Sequence, residues 1–302
     1  MINRRRYIAA AAAVTLVAMA GCAQPGMPAA APVGVDAPTV LSAVINQVYG
    51  TPQQRQAGEE RMWLTSQSAI AACARTKGVM YGVTPYQPML PPAEPAPGDL
   101  LGFAPQRADF GVATRIEMLA KRGEVPNPGL PAAADDQARW FTAVESCQDA
   151  ATAGEKLRVP DGQPELEAKL VDLLGRVQQQ VAPDLTSQYA SCMKAAGIDA
   201  GDLSEAYLKV EQKFPPVSFE RPSDPTTLPE WADAAAFEKK VAAADWACRE
   251  SRIDEIVNAA AADLQTFNST NTTRLAHVAN GWKAMPSLAQ TLRATVKTNT
   301  AK

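Results

Sequence analysis

Two seven-residue stretches decide the fold: Cys73-Ala74-Arg75-Thr76-Lys77-Gly78-Val79 and Cys192-Met193-Lys194-Ala195-Ala196-Gly197-Ile198. Each carries a cysteine, a four-residue gap, a glycine and a β-branched apolar residue, the pattern of a helix closed by glycine in the left-handed position. Two later cysteines also stand in matched settings. Trp140, Ala143 and Cys147 fall at i, i+3 and i+7, and Val241, Ala244 and Cys248 repeat that spacing with Phe237 one turn earlier. Each set is one face of a helix. The four cysteines therefore read as two disulfides in two copies of one unit, a helix ending in Cys-x4-Gly stapled to a later helix. The matched surroundings favour Cys73 with Cys147 and Cys192 with Cys248. Four cysteines permit three pairings, so a pairing across the repeat, or four buried thiols, are the alternatives. Closing loops this long contributes on the order of 4 kcal/mol per bridge in the chain-entropy model.

Working outward, Leu166, Leu170, Leu173, Val177 and Val181 mark an amphipathic helix that Pro183 ends, and Leu185, Tyr189, Cys192 and Ala196 mark the next. Trp63 and Ile70 precede Cys73 on a similar stripe. Asp202 reads as an N-cap for Leu203 to Phe214, and Pro229 as the first turn of a helix running past Cys248. Ile253, Val257, Ala260, Leu264 and Phe267 continue a long helical pattern toward His277 and Trp282. No stretch alternates with period two. The expected fold is all-α: a disulfide-braced helical bundle of two related units, residues 40–157 and 158–302, with long Pro-rich loops.

Ten of the 24 prolines lie between Pro85 and Pro131 and five more between Pro215 and Pro229, so both runs read as loops. Each falls between the two cysteines of its copy. The first carries Tyr81, Tyr86, Phe103 and Phe110, and the second carries Phe214 and Phe219. Such aromatics either fold back over the helix layer or form a recognition surface, and long loops in a stapled domain are commonly functional.

The amino-terminal segment reads as an address. Arg4, Arg5 and Arg6 precede an apolar run from Tyr7 to Ala20, then Gly21 and Cys22. Charge, greasy core and small residues in that order make a secretion signal over residues 1–21, and the run is too short to span a bilayer. Met19-Ala20-Gly21-Cys22 resembles the bacterial lipobox, with Met19 in place of the usual leucine. Cys22 is therefore the expected lipidation site, and two acyl chains there would anchor stably. Asn3-Arg4-Arg5-Arg6-Tyr7-Ile8 also resembles a twin-arginine export signal, and an ordinary basic leader explains it equally well. Residues 22–39, rich in Pro, Gly and Ala, read as a flexible tether. The membrane is the expected partner of the anchor, at the extracytoplasmic face.

Tyr189-Ala190-Ser191-Cys192-Met193-Lys194-Ala195-Ala196-Gly197-Ile198, followed by Ala244-Asp245-Trp246-Ala247-Cys248-Arg249 and a long terminal helix, resembles a group of uncharacterised secreted and lipid-anchored actinobacterial proteins. The resemblance covers residues 185 to 285. The first copy departs from it, with Ala74 in the place of Met193 and Gln148 in the place of Arg249. It implies architecture and location, and transfers no catalytic residue.

Composition narrows the function. An apolar content of 46% rules out disorder of the whole chain, and 6% aromatics with abundant alanine favour helices over strands. A net charge of −3 gives no electrostatic footprint for nucleic acid. One histidine, His277, cannot make a two-histidine metal site, and no cofactor motif is present, so neither metal nor cofactor is expected. Ser191 and Lys194 match a Ser-x-x-Lys pattern, but Ser191 adjoins a disulfide cysteine inside a helix, and no companion motif follows. Glu59 with Glu60 and Asp135 with Asp136 read as acids in first helical turns. Asp199 and Asp202 are too sparse for a calcium loop. The expectation is a non-catalytic envelope lipoprotein that binds an extracytoplasmic protein or envelope ligand through its inter-cysteine loops. The alternative is a glycan-acting, cell-wall-directed hydrolase using paired carboxylates.

Overall fold

The alanine- and leucine-rich stretches fold as their periodicity requires. A computed structural model describes residues 36–88, 108–123, 126–219 and 222–300. Among these residues are ten α-helices, two 3-10 segments and no strand. The chain runs through α1 (Ala37–Tyr49), α2 (Pro52–Thr76), α3 (Val112–Arg122) and α4 (Ala134–Glu145) to a 3-10 segment (Gln148–Leu157). It continues through α5 (Gln163–Val181), α6 (Leu185–Ala195) and α7 (Leu203–Lys213) to a 3-10 turn (Pro225–Thr227), then α8 (Trp231–Ala259), α9 (Ala261–Thr270) and α10 (Thr272–Thr300). None of these helices is long and apolar enough to cross a membrane.

The Cys-x4-Gly stretches close their helices identically. Gly78 and Gly197 have φ of +74° and +78°, where a side chain would be strained. At the end of α2 the Val79 and Gly78 amides donate to the Ala74 and Arg75 carbonyls. At the end of α6 the Ile198 and Gly197 amides donate to those of Met193 and Lys194. This pair of bonds satisfies carbonyls the last turn would otherwise leave open. The disulfides are Cys73–Cys147 and Cys192–Cys248, with Cα atoms 5.8 and 5.6 Å apart. Such bridges suit an oxidising, extracytoplasmic compartment.

Three apolar clusters hold the helices. The first joins α1, α5, α9, α10 and the carboxyl-terminal half of α8 around Val48, Leu170, Ile256, Leu264 and Trp282. The second joins α3, α6, α7 and the amino-terminal half of α8 around Val112, Met193, Val210, Trp231 and Val241. The third is small: Ile70, Trp140, Val144 and Cys147. Burying one Leu, Ile or Val fully contributes about 1.5–3 kcal/mol, so the first two clusters dominate cohesion. Helix α8 threads both.

Close backbone approaches need glycine. A Cβ on Gly58 would lie 2.1 Å from the Arg158 carbonyl oxygen, and one on Gly154 would lie 2.2 Å from that of Met62, so the Gln148–Leu157 segment lies flat on α2. Trp282 donates its indole N–H to the Val48 carbonyl at 2.8 Å, which fastens α10 to α1.

Several boundaries differ from the sequence reading. Helix α1 begins at Ala37, inside the stretch read as tether, because Pro38 sits in its first turn and Leu41, Val44, Ile45 and Val48 then follow one face. Helix α3 occupies the proline-free interval between Pro105 and Pro126, within a run read wholly as loop. Its first-unit origin notwithstanding, α3 packs in the second cluster. The long carboxyl-terminal pattern breaks at Ala260 and Asn271 into α8, α9 and α10. Asn271 is buried and donates its side-chain amide to the Phe267 carbonyl at 2.9 Å, which caps α9. Pro229 precedes α8 rather than starting it, and Cys147 lies just past the end of α4. Asp202 caps α7 as expected, accepting from the Glu205 amide at 2.8 Å.

Candidate functional site

The third cluster is a small platform with an apolar rim. Cys73 at the end of α2 and Cys147 beyond α4 are joined, which holds Trp140 over α2. The Trp140 indole N–H donates to the Met80 carbonyl at 2.6 Å, and the Tyr81 ring stacks on the indole with centroids 5.8 Å apart. The Tyr81 hydroxyl donates to the buried Gln67 side chain at 2.8 Å. Asn127 clamps the loop from the other side: its Oδ1 accepts from the Gly82 and Gly129 amides, each at 2.9 Å, and its Nδ2 donates to the Gly82 carbonyl at 2.7 Å. Trp63 donates its indole N–H to the Thr84 carbonyl at 2.9 Å. Residues 79–84 are thus pinned by side chains from two flanks despite having no regular structure.

What this pinning leaves outside is apolar. Met80 is 75% exposed and Phe141 49% exposed. Phe141 meets the Trp140 ring edge-on at 5.2 Å and the Met80 carbonyl accepts the indole N–H, so both residues adjoin the same buried indole. Ala134 and Ala138, also exposed, fall on the α4 face of Phe141 at helical spacing. Asp136 pairs with Arg139 at 2.8 Å along the rim. The surface offers a phenyl ring, an adaptable thioether and small side chains, which is contact chemistry.

The sequence-derived loop aromatics separate into different environments. Tyr81 belongs to the platform just described. Phe110 tilts on Tyr207 with centroids 6.3 Å apart, and buried Phe214 meets Trp231 edge-on at 4.9 Å. Both lie in the second cluster, one from each inter-cysteine loop. Tyr86 is half-buried beside Glu59, Glu60 and Arg158; burial first, and then the two carboxylates, push its phenol up to about 12. Phe219 is 41% exposed. Phe103 and Cys22 lie outside the described residues. The structure therefore brings Phe110 and Phe214 to one core, and sets Tyr81 at another.

The candidate chemical groups are engaged elsewhere. Glu59 and Glu60 sit two turns into α2, not in its first turn. Glu59 accepts from Arg158 at 2.6 Å, and Glu60 accepts two bonds from Arg293 at 2.6 Å each. Asp135 and Asp136 do occupy the first turn of α4, where they favour the helix dipole. The Ser191 hydroxyl donates to the Ser187 carbonyl at 2.8 Å within α6, and His277 is exposed on α10. Among the described residues no group of three or more His, Cys, Asp or Glu could hold a metal.

Sequence reasoning passed over three features. Met80 and Phe141 are the apolar rim; the adjacent aromatics Trp140-Phe141 on one short helix were the available sign, since both cannot face inward. Beside the second disulfide, Tyr189 donates to Asp245 at 3.1 Å and Arg249 donates to the same carboxylate at 2.8 Å, with Asp245 2% exposed. Burial, and then Asp245, raise the Tyr189 phenol well above its ordinary value. Glu238, on α8, is the third: its buried carboxylate accepts from the Val112 and Ala113 amides at 2.7 Å and 3.0 Å. Compared with protein-family models, curated proteins and solved structures, the chain matches none.

Proposed function

We propose that the chain is a lipid-anchored, extracytoplasmic binding module, tethered through Cys22, that engages an extracytoplasmic protein or envelope ligand with its inter-cysteine loops rather than by catalysis. The observation that carries this reading is the exposure of Met80 and Phe141 on a platform held by a disulfide, a buried indole and the Asn127 clamp. Large apolar side chains exposed on a pinned backbone bind at a reduced ordering cost, because only the side chains have to be immobilised. Phe219 is likewise exposed, in the second inter-cysteine loop. The anchor half of the reading rests on the lipobox resemblance around Cys22.

The test is photocrosslinking in intact cells with benzoylphenylalanine at Phe141. A discrete light-dependent adduct is expected, reduced by Met80→Asp and absent when the probe replaces Val171, an exposed position on α5. In the same cells, membrane association and palmitate labelling are expected to disappear with Cys22→Ser. Equal adducts from positions 141 and 171, or none from 141, would remove the binding surface; labelling that survives Cys22→Ser would remove the anchor.

A further inference from the structure

Helices α5 and α9 each pack more closely on α1 than on each other, which leaves a trough between them. It encloses about 250 Å³. The floor is apolar, formed by Leu173 and Phe267, both buried members of the first cluster. Lys169 and Arg176 stand about 10 Å apart along α5, and Asp263 and Asn271 about 12 Å apart along α9, so the trough has the length of a small molecule.

The two walls differ in chemistry. On α5 the groups open to a ligand are cations, Lys169 and Arg176, while Asp172 is engaged by Arg176. On α9 they are acceptors. The Thr266 hydroxyl donates to the Ala262 carbonyl at 3.0 Å and that of Thr270 to the Thr266 carbonyl at 2.7 Å, so each oxygen keeps a lone pair for a donor from outside. Asn271 is 8% exposed and lines the trough; its Nδ2 donates to the Phe267 carbonyl and the Thr270 hydroxyl, and no described residue donates to its Oδ1. A largely buried acceptor without a donor is costly, so this oxygen favours a ligand that donates. Asp263 adds a carboxylate to the same wall. Among the described residues neither Lys169 nor Asp263 makes an ion pair, although the two opposite charges line one trough.

We propose that this trough binds a small zwitterion with an apolar side chain, a free α-amino acid or a dipeptide. The ligand ammonium donates to Asp263, the threonine oxygens and Asn271 Oδ1, its carboxylate accepts from Lys169 and Arg176, and its side chain lies on Leu173 and Phe267. Charge selects the class. A neutral sugar leaves Lys169 and Asp263 without counter-charges, and a simple anion or cation meets a like charge on one wall. The trough shares no residue with the platform of Met80 and Phe141, so either can fail without the other.

Nuclear magnetic resonance titration of the full chain, isotope-labelled and with its disulfides intact, tests this with L-leucine and leucyl-leucine. Exposed ion pairs contribute modestly, so millimolar affinity is expected. Saturable shifts should centre on the Asn271 side-chain amide and the backbone amides of Thr266 to Asn271. Tighter binding of leucine marks free amino acids as the source, and tighter binding of leucyl-leucine marks peptides. Leucinamide, which lacks the carboxylate, N-acetylleucine, which lacks the ammonium, and glucose should each bind about threefold or more weaker. Lys169→Met and Asp263→Asn should weaken leucine by about the same factor, while Val171→Ala, exposed on α5 outside the trough, should leave it unchanged. No saturable shift with either zwitterion, shifts centred elsewhere, or equal binding of leucinamide, N-acetylleucine or glucose would overturn the site. Should a variant fail to fold, the ligand series on the wild-type chain decides the matter alone.

Discussion

Gly58 and Gly175 are both glycines inside helices, yet they do opposite work. The carbonyl of Arg158 occupies the place a Gly58 side chain would take, whereas nothing lies within 4 Å of that position at Gly175. Gly58→Ala is expected to cost about 1–3 kcal/mol through overpacking against backbone that cannot step aside. Gly175→Ala should add about 0.5–1 kcal/mol by favouring the helix. Thermal unfolding followed by circular dichroism should move in opposite directions for the two, and shifts of the same sign would contradict the packing of Gln148–Leu157 on α2. From sequence the pair is indistinguishable, because the discriminating contact joins residues 100 positions apart in the chain. The same limit hid the joint burial of Tyr189, Asp245 and Arg249. All three stand in the stretches Tyr189–Ile198 and Ala244–Arg249, but only the crossing of α6 and α8 brings the hydroxyl, carboxylate and guanidinium together.

The two disulfide-bearing helix pairs are unequal in support. Cys192–Cys248 is set among the residues of the second cluster, while Cys73–Cys147 braces a core whose buried members number four. Replacing Cys73 and Cys147 by Ala is therefore expected to expose α4 and residues 79–84 to hydrogen exchange well before the rest of the molecule. Replacing Cys192 and Cys248 should chiefly lower the midpoint of global unfolding. Each loss is expected to be on the order of 4 kcal/mol in the chain-entropy model. Identical local exchange in both double variants would show that the small core does not depend on its bridge. At this scale the sequence was informative wherever the signal was local. Cys-x4-Gly favours a left-handed glycine and two specific backbone bonds, so the ends of α2 and α6 were readable, while the matched surroundings of the cysteines favoured the within-copy pairings over the cross-repeat one without deciding between them. Helix α3 was not, since ten prolines around it suggested loop and its apolar face serves a cluster built by the other copy. The Met80 and Phe141 rim was equally hidden, because exposure there depends on how Trp140 and Asn127 place the loop.

Three tyrosines tie distant parts of the molecule and share a titration behaviour. Tyr49 on α1 donates to Glu167 on α5 at 3.2 Å, Tyr189 on α6 donates to Asp245 on α8, and Tyr86 rests beside Glu59 and Glu60 on α2. Burial, and then the nearby carboxylates, raise all three phenols above 10.0. Above that pH the unfolded chain releases protons the native state retains, so stability falls as pH climbs. The urea midpoint is expected to drop between about pH 9 and about pH 11, and the drop should be smaller in Tyr189→Phe. A midpoint that stays level across that interval would refute the assignment. All-α architecture was legible from composition and spacing, and the two bridges were favoured by them; the sharing of helices between clusters was not legible, because it is decided by which faces meet after collapse. One such meeting joins α1 and α10. The indole of Trp282 rests on the carbonyl of Val48, 234 residues earlier. A chain lacking α10 would leave the Val48 carbonyl without its donor and part of the apolar face of α1 in water, so truncation before Thr272 is expected to open α1 to proteolysis.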